Sequence, residues 1–234
     1  MKVTAQLAND WFDSTFTNTP VMAILRGLGS ERSLEISQIA WELGITVVEL
    51  PLQSEEDAKA LRDVASAAAE RGFPVGAGTI TRPELVRAAR DAGAAFTVSP
   101  GLDPVVVRAS WASGMPSLPG VASATEVQLA TEMGLNWLKA FPASTLGPAW
   151  LSAMRGPFPA VSFVATGGVD SANAASFLAV GARVVAVGSA LERADQLPGL
   201  AGLLSRYVRA GGLTPSSARA NLPRDNVVSI GDLP

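Results

Sequence analysis

One phrase recurs along this 234-residue chain and constrains its fold more than any single residue does. An amphipathic stretch ends in a glycine, and a short β-rich apolar run follows. Gly44, Gly72, Gly93, Gly114, Gly134 and Gly181 all stand at such junctions. There a left-handed C-terminal cap would close a helix before the chain enters a strand. The strand-like runs are Val21–Leu25, Val47–Leu50, Val75–Ala77, Phe96–Ser99, Ser117–Leu118, Trp137–Ala140, Val161–Ala165 and Val184–Val187. Between and after them, helical composition covers Ser33–Leu43, Glu55–Arg71, Pro83–Ala92, Pro104–Ser113, Ala124–Met133, Pro148–Met154, Ser171–Val180 and Leu197–Ala210. Strictly alternating strands and helices pair in parallel through right-handed crossovers. Eight such units, in a chain close to the typical barrel length of about 250 residues, favour a closed α/β (β/α)8 TIM barrel over an open doubly wound sheet.

Two segments fall outside that rhythm. Ala5–Phe16 is amphipathic and carries Trp11, Phe12 and Phe16. It is expected to form an extra N-terminal helix that covers the barrel bottom or makes a subunit contact. Residues 211–234 open with Gly211-Gly212 and are rich in Pro, Ser and Asp, which predicts an extended tail. The expected organisation is one barrel with its N-terminal helix over 1–210 and a C-terminal tail over 211–234.

Composition removes whole classes of chemistry. With no histidine and no cysteine, a Ser-His-Asp triad, a thiolate nucleophile and a zinc–thiolate site are all unavailable. Acid–base work must fall to carboxylates, lysine, the single tyrosine Tyr207 or water. A net charge of −3 with no basic stripe argues against nucleic acid as a partner. No apolar run is long enough for a membrane span, and the N-terminus lacks the pattern of a secretion signal, so a cytoplasmic location is expected. No acidic cluster calls for a metal, and no cofactor is expected.

Against this background three signals carry chemistry. Lys139 lies in the apolar run Trp137-Leu138-Lys139-Ala140-Phe141-Pro142. Desolvation of an ammonium favours the free amine, the nucleophile that forms a Schiff base with a carbonyl; a strand-end lysine reaching for solvent is the plainer alternative. Glu49 sits in the equally apolar Val47-Val48-Glu49-Leu50-Pro51, where a carboxylate is costly unless paired or hydrogen-bonded. It is either a general acid/base beside the amine or a structural partner of Arg26 or Lys139. The third signal is the pair of glycine-containing strand ends, Thr166-Gly167-Gly168 and Gly188-Ser189. With a helix N-terminus behind them they could cradle a phosphate, or they could simply make tight turns. Arg26, at the end of the first strand, could grip a carboxylate with its guanidinium fork or enter a structural ion pair.

These motifs together resemble a known family. Ala23-Ile24-Leu25-Arg26-Gly27, Val48-Glu49-Leu50-Pro51-Leu52, Gly76-Ala77-Gly78-Thr79, Ser99-Pro100-Gly101, Leu118-Pro119-Gly120, Leu138-Lys139-Ala140-Phe141-Pro142-Ala143 and Ala165-Thr166-Gly167-Gly168-Val169 are similar to those of class I aldolases. Those enzymes cleave 2-keto-3-deoxy-6-phosphogluconate (KDPG) or 2-keto-3-deoxy-6-phosphogalactonate, and some also act on 4-hydroxy-2-oxoglutarate (KHG). The resemblance runs from about Val21 to Leu191 and implies that Lys139 is the Schiff-base lysine and Glu49 the acid/base. It further implies that Arg26, Thr79, Pro100, Phe141, Gly167, Gly168, Gly188 and Ser189 line the substrate site, with Gln53, Ser144 and Thr166 beside them. A homotrimer of barrels and a keto-deoxy sugar-acid phosphate substrate are implied as well. Two places lean toward the phosphogalactonate branch. Gln53 is neutral where the gluconate enzymes carry a cation, and Phe141-Pro142-Ala143-Ser144-Thr145-Leu146-Gly147-Pro148 is similar to the galactonate form. A KDPG or KHG aldolase, a non-catalytic sugar-phosphate-binding barrel and a sugar-phosphate epimerase or isomerase are the competing readings, since fold alone does not give function.

Overall fold

The computed structural model describes residues 3–17 and 19–209; the expected tail over 211–234 lies outside them. In chain order the elements are α1 (Ala5–Thr15), β1 (Val21–Ile24), α2 (Gly29–Glu42), β2 (Val48–Pro51), α3 (Glu55–Ala69), β3 (Val75–Gly78), α4 (Pro83–Asp91), β4 (Phe96–Val98), α5 (Pro104–Ala112), β5 (Ser117–Leu118), β6 (Gly120–Val121), α6 (Ala124–Glu132), β7 (Trp137–Ala140), α7 (Ala143–Arg155), β8 (Ser162–Thr166), α8 (Ala174–Ala179), β9 (Val184–Val187) and α9 (Leu197–Arg209). The sheet order is β5-β4-β3-β2-β1-β9-β8-β7-β6, and every neighbouring pair is parallel.

β5 and β6 are two halves of one strand position, parted at Pro119, which has no N–H to donate to a ladder. Its carbonyl still accepts a hydrogen bond from the Lys139 N–H at 2.9 Å. The interruption is thus tied to β7, and chain continuity through Pro119 closes the cylinder. The result is the expected (β/α)8 barrel, with β2 and β7 facing each other across it. All six junction glycines have positive φ, from +69° to +101°, so the left-handed caps that the sequence rhythm implies are present.

Alternation along each strand sorts side chains into two cores. Outward residues meet the helices in a shell that includes Ile36, Leu61, Val86, Val107, Val127 and Leu151. Inward residues Met22, Val47, Phe96, Val98, Leu118, Trp137, Val164, Val184 and Ala186 fill the barrel and are joined there by Phe12 and Phe16 of the N-terminal segment. Of its two expected roles, this segment therefore takes that of a cover for the barrel bottom. Phe16 packs on Trp137 with ring centroids 5.2 Å apart, and Phe12 meets Phe96 edge-on at 5.9 Å. Polar ties fix α1 in place. The Trp137 indole N–H donates to Asp13 at 2.9 Å. The Asn9 amide donates to the Gly134 carbonyl at 2.8 Å and accepts from the Asn136 N–H at 2.9 Å.

Several element bounds differ from those expected. The seventh helix starts at Ala143, not Pro148, because a non-helical Gly147 (φ 74°, ψ 164°) joins an extra first turn to the segment that Pro148 opens. Ser144 therefore lies on a helix immediately after β7. The helix expected over Ser171–Val180 shrinks to α8, whose six residues begin only at Ala174. Asp170 holds the preceding residues in a turn, its carboxylate accepting from the N–H groups of Ala172 and Asn173 at 2.9 and 3.1 Å. α2 begins at Gly29, four residues before the expected Ser33.

Candidate active site

Trp137 and Lys139 share the inward face of β7, as Glu49 of β2 and Val47 just before it point to the same interior. Their position in the strands puts the aromatic and aliphatic residues at the bottom and the two charged residues at the C-terminal mouth. Lys139 is 4% exposed and Glu49 is completely buried. The Lys139 Nζ lies 3.7 Å from Glu49 Oε1, near enough for mutual charge stabilisation but too long for a direct hydrogen bond. Neither Glu49 oxygen has a hydrogen-bond partner among the described residues. The protein alone thus gives Glu49 no polar partner closer than the Lys139 Nζ, whereas a buried pair kept only for stability needs further hydrogen bonds to offset desolvation. Arg26, the other structural partner considered for Glu49, is exposed and makes no ion pair with any described residue.

Glycines create the room this pair needs. Gly78 on β3 faces Glu49, and a Cβ there would overlap Glu49 Oε1. Gly76 admits the Phe96 ring in the same way. Gly120, in register with Lys139, lets the Pro100 carbonyl approach where a Cβ would collide with it.

Around the pair stand the other residues singled out from sequence. The Phe141 ring centroid is 5.2 Å from the Lys139 Nζ, and a Cβ on Gly167 would sit 3.1 Å from that ring. Thr166 is buried on the inward face of β8, its hydroxyl donating to the Val164 carbonyl at 3.4 Å. Thr79 follows β3 with φ +59°, a conformation that a β-branched residue adopts only at a cost and that tends to mark functional sites. Ser144 donates its N–H to the Gly167 carbonyl at 2.9 Å, and its side chain occupies the space a Cβ on Gly168 would take. Lys139, Glu49, Phe141, Ser144, Thr166, Gly167 and Gly168 are therefore drawn together by direct contacts or by shared inward faces. Arg26, Gln53, Thr79, Pro100, Gly188 and Ser189 sit at or just after strand C-termini on the same rim, and none makes a hydrogen bond or ion pair to Lys139 or Glu49. Gln53 and Ser189 are exposed there.

The expected phosphate cradle differs in its construction. No helix N-terminus stands directly behind Gly167-Gly168, because α8 starts at Ala174 and is short. The donors there are loop N–H groups, and after Gly188 comes a single 3-10 turn, Ser189–Glu192. Sequence reasoning also missed Asn173, whose side-chain amide donates to the Gly168 carbonyl at 2.8 Å. The only signal was an Asn three residues after an Asp in a turn-forming run. A cluster of three or more acidic residues that could hold a metal ion is absent among the described residues.

A buried amine opposite a buried carboxylate, at the C-terminal mouth of a parallel barrel, is the equipment of an enzyme that works on a carbonyl through an imine. The comparisons with known proteins agree in class. A family model described as "Aldolase: KDPG and KHG aldolase" matches residues 12–201. A probable 2-dehydro-3-deoxy-6-phosphogalactonate aldolase of Rhizobium meliloti is 37% identical over 173 residues, covering 74% of this chain and 81% of the relative. A 2-dehydro-3-deoxy-phosphogluconate aldolase of Pseudomonas aeruginosa is 42% identical over 139 residues, covering 58% and 62%. Among solved structures, a KDPG aldolase from Legionella pneumophila, with pyruvate captured as a covalent carbinolamine, superposes with a TM-score of 0.71 at 30% identity, covering 84% of this chain and 96% of that one. The chain belongs to the KDPG and KHG aldolase family, and it is an aldolase, hence a carbon–carbon lyase.

Proposed function

We propose that this protein is a class I aldolase that cleaves 2-keto-3-deoxy-6-phosphogalactonate to pyruvate and glyceraldehyde 3-phosphate. The observation that carries the chemistry is the pair itself, Lys139 Nζ 3.7 Å from a buried Glu49 carboxylate that no described residue hydrogen-bonds. In this reading the Lys139 amine attacks the C2 ketone to give a carbinolamine. Glu49, directly or through a water, shuttles the proton that lets hydroxide leave as water and the iminium form. Glu49 then takes the C4 hydroxyl proton as the C3–C4 bond breaks. The bonding electrons pass to the iminium, leaving a pyruvate enamine and releasing glyceraldehyde 3-phosphate. Protonation of the enamine at C3 and hydrolysis return pyruvate and the free amine. The iminium is the electron sink that makes the broken bond labile.

Arg26 and the exposed Gln53 are assigned to the substrate carboxylate and hydroxyls, Thr79, Pro100, Phe141 and Thr166 to its carbon chain, and the Gly167, Gly168, Gly188 and Ser189 backbone, with Ser144, to the phosphate. The neutral Gln53 and the phosphogalactonate relatives support the galactonate epimer. The higher identity to the Pseudomonas phosphogluconate aldolase, over a shorter stretch, supports the gluconate epimer as the second reading. The family resemblance adds the expectations of a homotrimer and a cytoplasmic location.

Borohydride reduction in the presence of pyruvate, followed by intact mass and peptide mapping, tests the mechanism. A pyruvate-sized adduct on Lys139 is expected, and Lys139→Ala should fold yet neither trap pyruvate nor cleave substrate. A folded protein with no adduct, or full turnover by the variant, would remove the Schiff-base mechanism. Coupled assays on the two phosphorylated epimers then decide between the galactonate and gluconate readings.

A further inference from the structure

The loop between β8 and α8 has both of its glycine carbonyls tied down, one from α7 and one by the loop's own last residue. The Gly167 carbonyl accepts from the Ser144 N–H at 2.9 Å. The Gly168 carbonyl accepts from Asn173 Nδ2 at 2.8 Å. In a trans peptide the C=O and the following N–H point in opposite directions. Anchoring Gly167 O against α7 therefore turns the Gly168 N–H away from α7. Anchoring Gly168 O on Asn173 likewise turns the Val169 N–H away from Asn173. Neither N–H has an acceptor among the described residues, although most backbone donors in folded proteins are paired. Both glycines have positive φ, +96° and +70°, a region in which their own backbone would leave these peptide planes free to rotate.

Asn173 is built as a clamp rather than as a surface amide. Its Oδ1 accepts from the Asp170 N–H at 3.1 Å while its Nδ2 holds Gly168. Its own N–H is capped by the Asp170 carboxylate at 3.1 Å. The side chain thus joins the strand end to the start of α8 across a loop that has no helix N-terminus to organise it.

We propose that Asn173 is a positioning residue that fixes the Gly168–Val169 peptide plane, so that the Gly168 and Val169 N–H groups are presented together to the phosphate of the substrate. Asn173 itself touches no reacting atom. This rests on the reading that the substrate is a phosphorylated keto-deoxy sugar acid held at this loop. Its role is selective: it favours phosphate-bearing substrates and is indifferent to the imine chemistry at Lys139.

The test compares wild type, Asn173→Ala and Asn173→Ser on a phosphorylated and an unphosphorylated 2-keto-3-deoxy sugar acid, with inorganic phosphate as a competitive inhibitor. Asn173→Ser is neutral and too short to reach the Gly168 carbonyl, so it removes the donor without adding a charge beside the phosphate and gives a second variant should the alanine one fail to fold. In both variants KM for the phosphorylated substrate and Ki for phosphate should rise about tenfold, the effect of one lost hydrogen bond in a site. kcat, the kinetics on the unphosphorylated substrate and borohydride trapping of pyruvate should stay within about twofold of wild type, by the same scale. Equal losses on both substrates would reduce Asn173 to a structural role, and an unchanged KM for the phosphorylated substrate would remove the positioning role. A wild-type enzyme that does not prefer the phosphorylated substrate would overturn the phosphate reading itself, and the Asn173 proposal with it.

Discussion

At the scale of single residues, the site turns on how Glu49 is buried with neither oxygen hydrogen-bonded to a described residue. Among the described residues the only cation paired with it is Lys139, at 3.7 Å. A carboxylate with no other protein partner stands where it could exchange a proton with a substrate bound at the amine, as a general base must. Glu49→Gln preserves shape and removes the titratable oxygen. It is expected to fold, to still trap pyruvate slowly with borohydride, and to lose about 10²–10⁴-fold in kcat for cleavage. A kcat near wild type would demote Glu49 to the structural partner it could equally have been from sequence. Both charged residues were legible in the sequence because each interrupts an apolar strand run, an energetic anomaly visible without coordinates. Gly78 was visible only as part of a motif. That its missing Cβ is what admits Glu49 Oε1 depends on the β2–β3 register, which no local pattern reports. Asn173 was illegible for the same reason, since its importance lies in the one carbonyl it reaches.

At the scale of elements, the alternation of strands and helices was readable because two periodicities and a glycine at six of the helix-to-strand junctions repeat along the chain. Where bounds slipped, a residue with competing local demands was responsible. Pro119 splits a strand because it lacks a donor. Gly147 breaks α7 into two segments, and Pro148, a natural first residue of a helix, drew the expected start to the second one. Asp170 uses its carboxylate to make a turn where helical composition continued. α1 was legible as amphipathic, but whether it covers the barrel or another subunit was decided only by the inward cluster of Met22, Phe96, Trp137 and Val184 that receives it. Phe12 is 1% exposed within that cluster, and truncating a buried phenylalanine typically costs about 3–5 kcal/mol through lost transfer energy and an unfilled cavity. Phe12→Ala should destabilise the protein by that amount in urea denaturation, with little effect on KM because the plug lies at the opposite end of the barrel from Lys139. A loss below about 1 kcal/mol would mean that α1 lies on the barrel without supporting its core.

At the scale of the whole molecule, the proposed catalytic pair and the loops around it come from one barrel. Lys139, Glu49, Phe141, Thr166 and the Gly167–Gly168 loop with its Ser144 and Asn173 ties are all connected within a single chain. The surface carries few large exposed apolar side chains; among the described residues these are Val105 on α5 and Leu129 on α6, 54% and 48% exposed. If the family expectation of a trimer holds, association would act on stability and not on the assembly of the site. Two results should then coincide. Light scattering on the purified full chain should return a mass three times that of the polypeptide. The rate of pyruvate trapping per chain should stay constant as the protein is diluted through the range in which that mass falls, for as long as circular dichroism shows the barrel intact. A single-chain mass at all concentrations would remove the trimer. A trapping rate that falls together with the mass, in a protein still folded, would instead show that a neighbouring barrel contributes to the site, and that the pocket at the mouth of one barrel is incomplete.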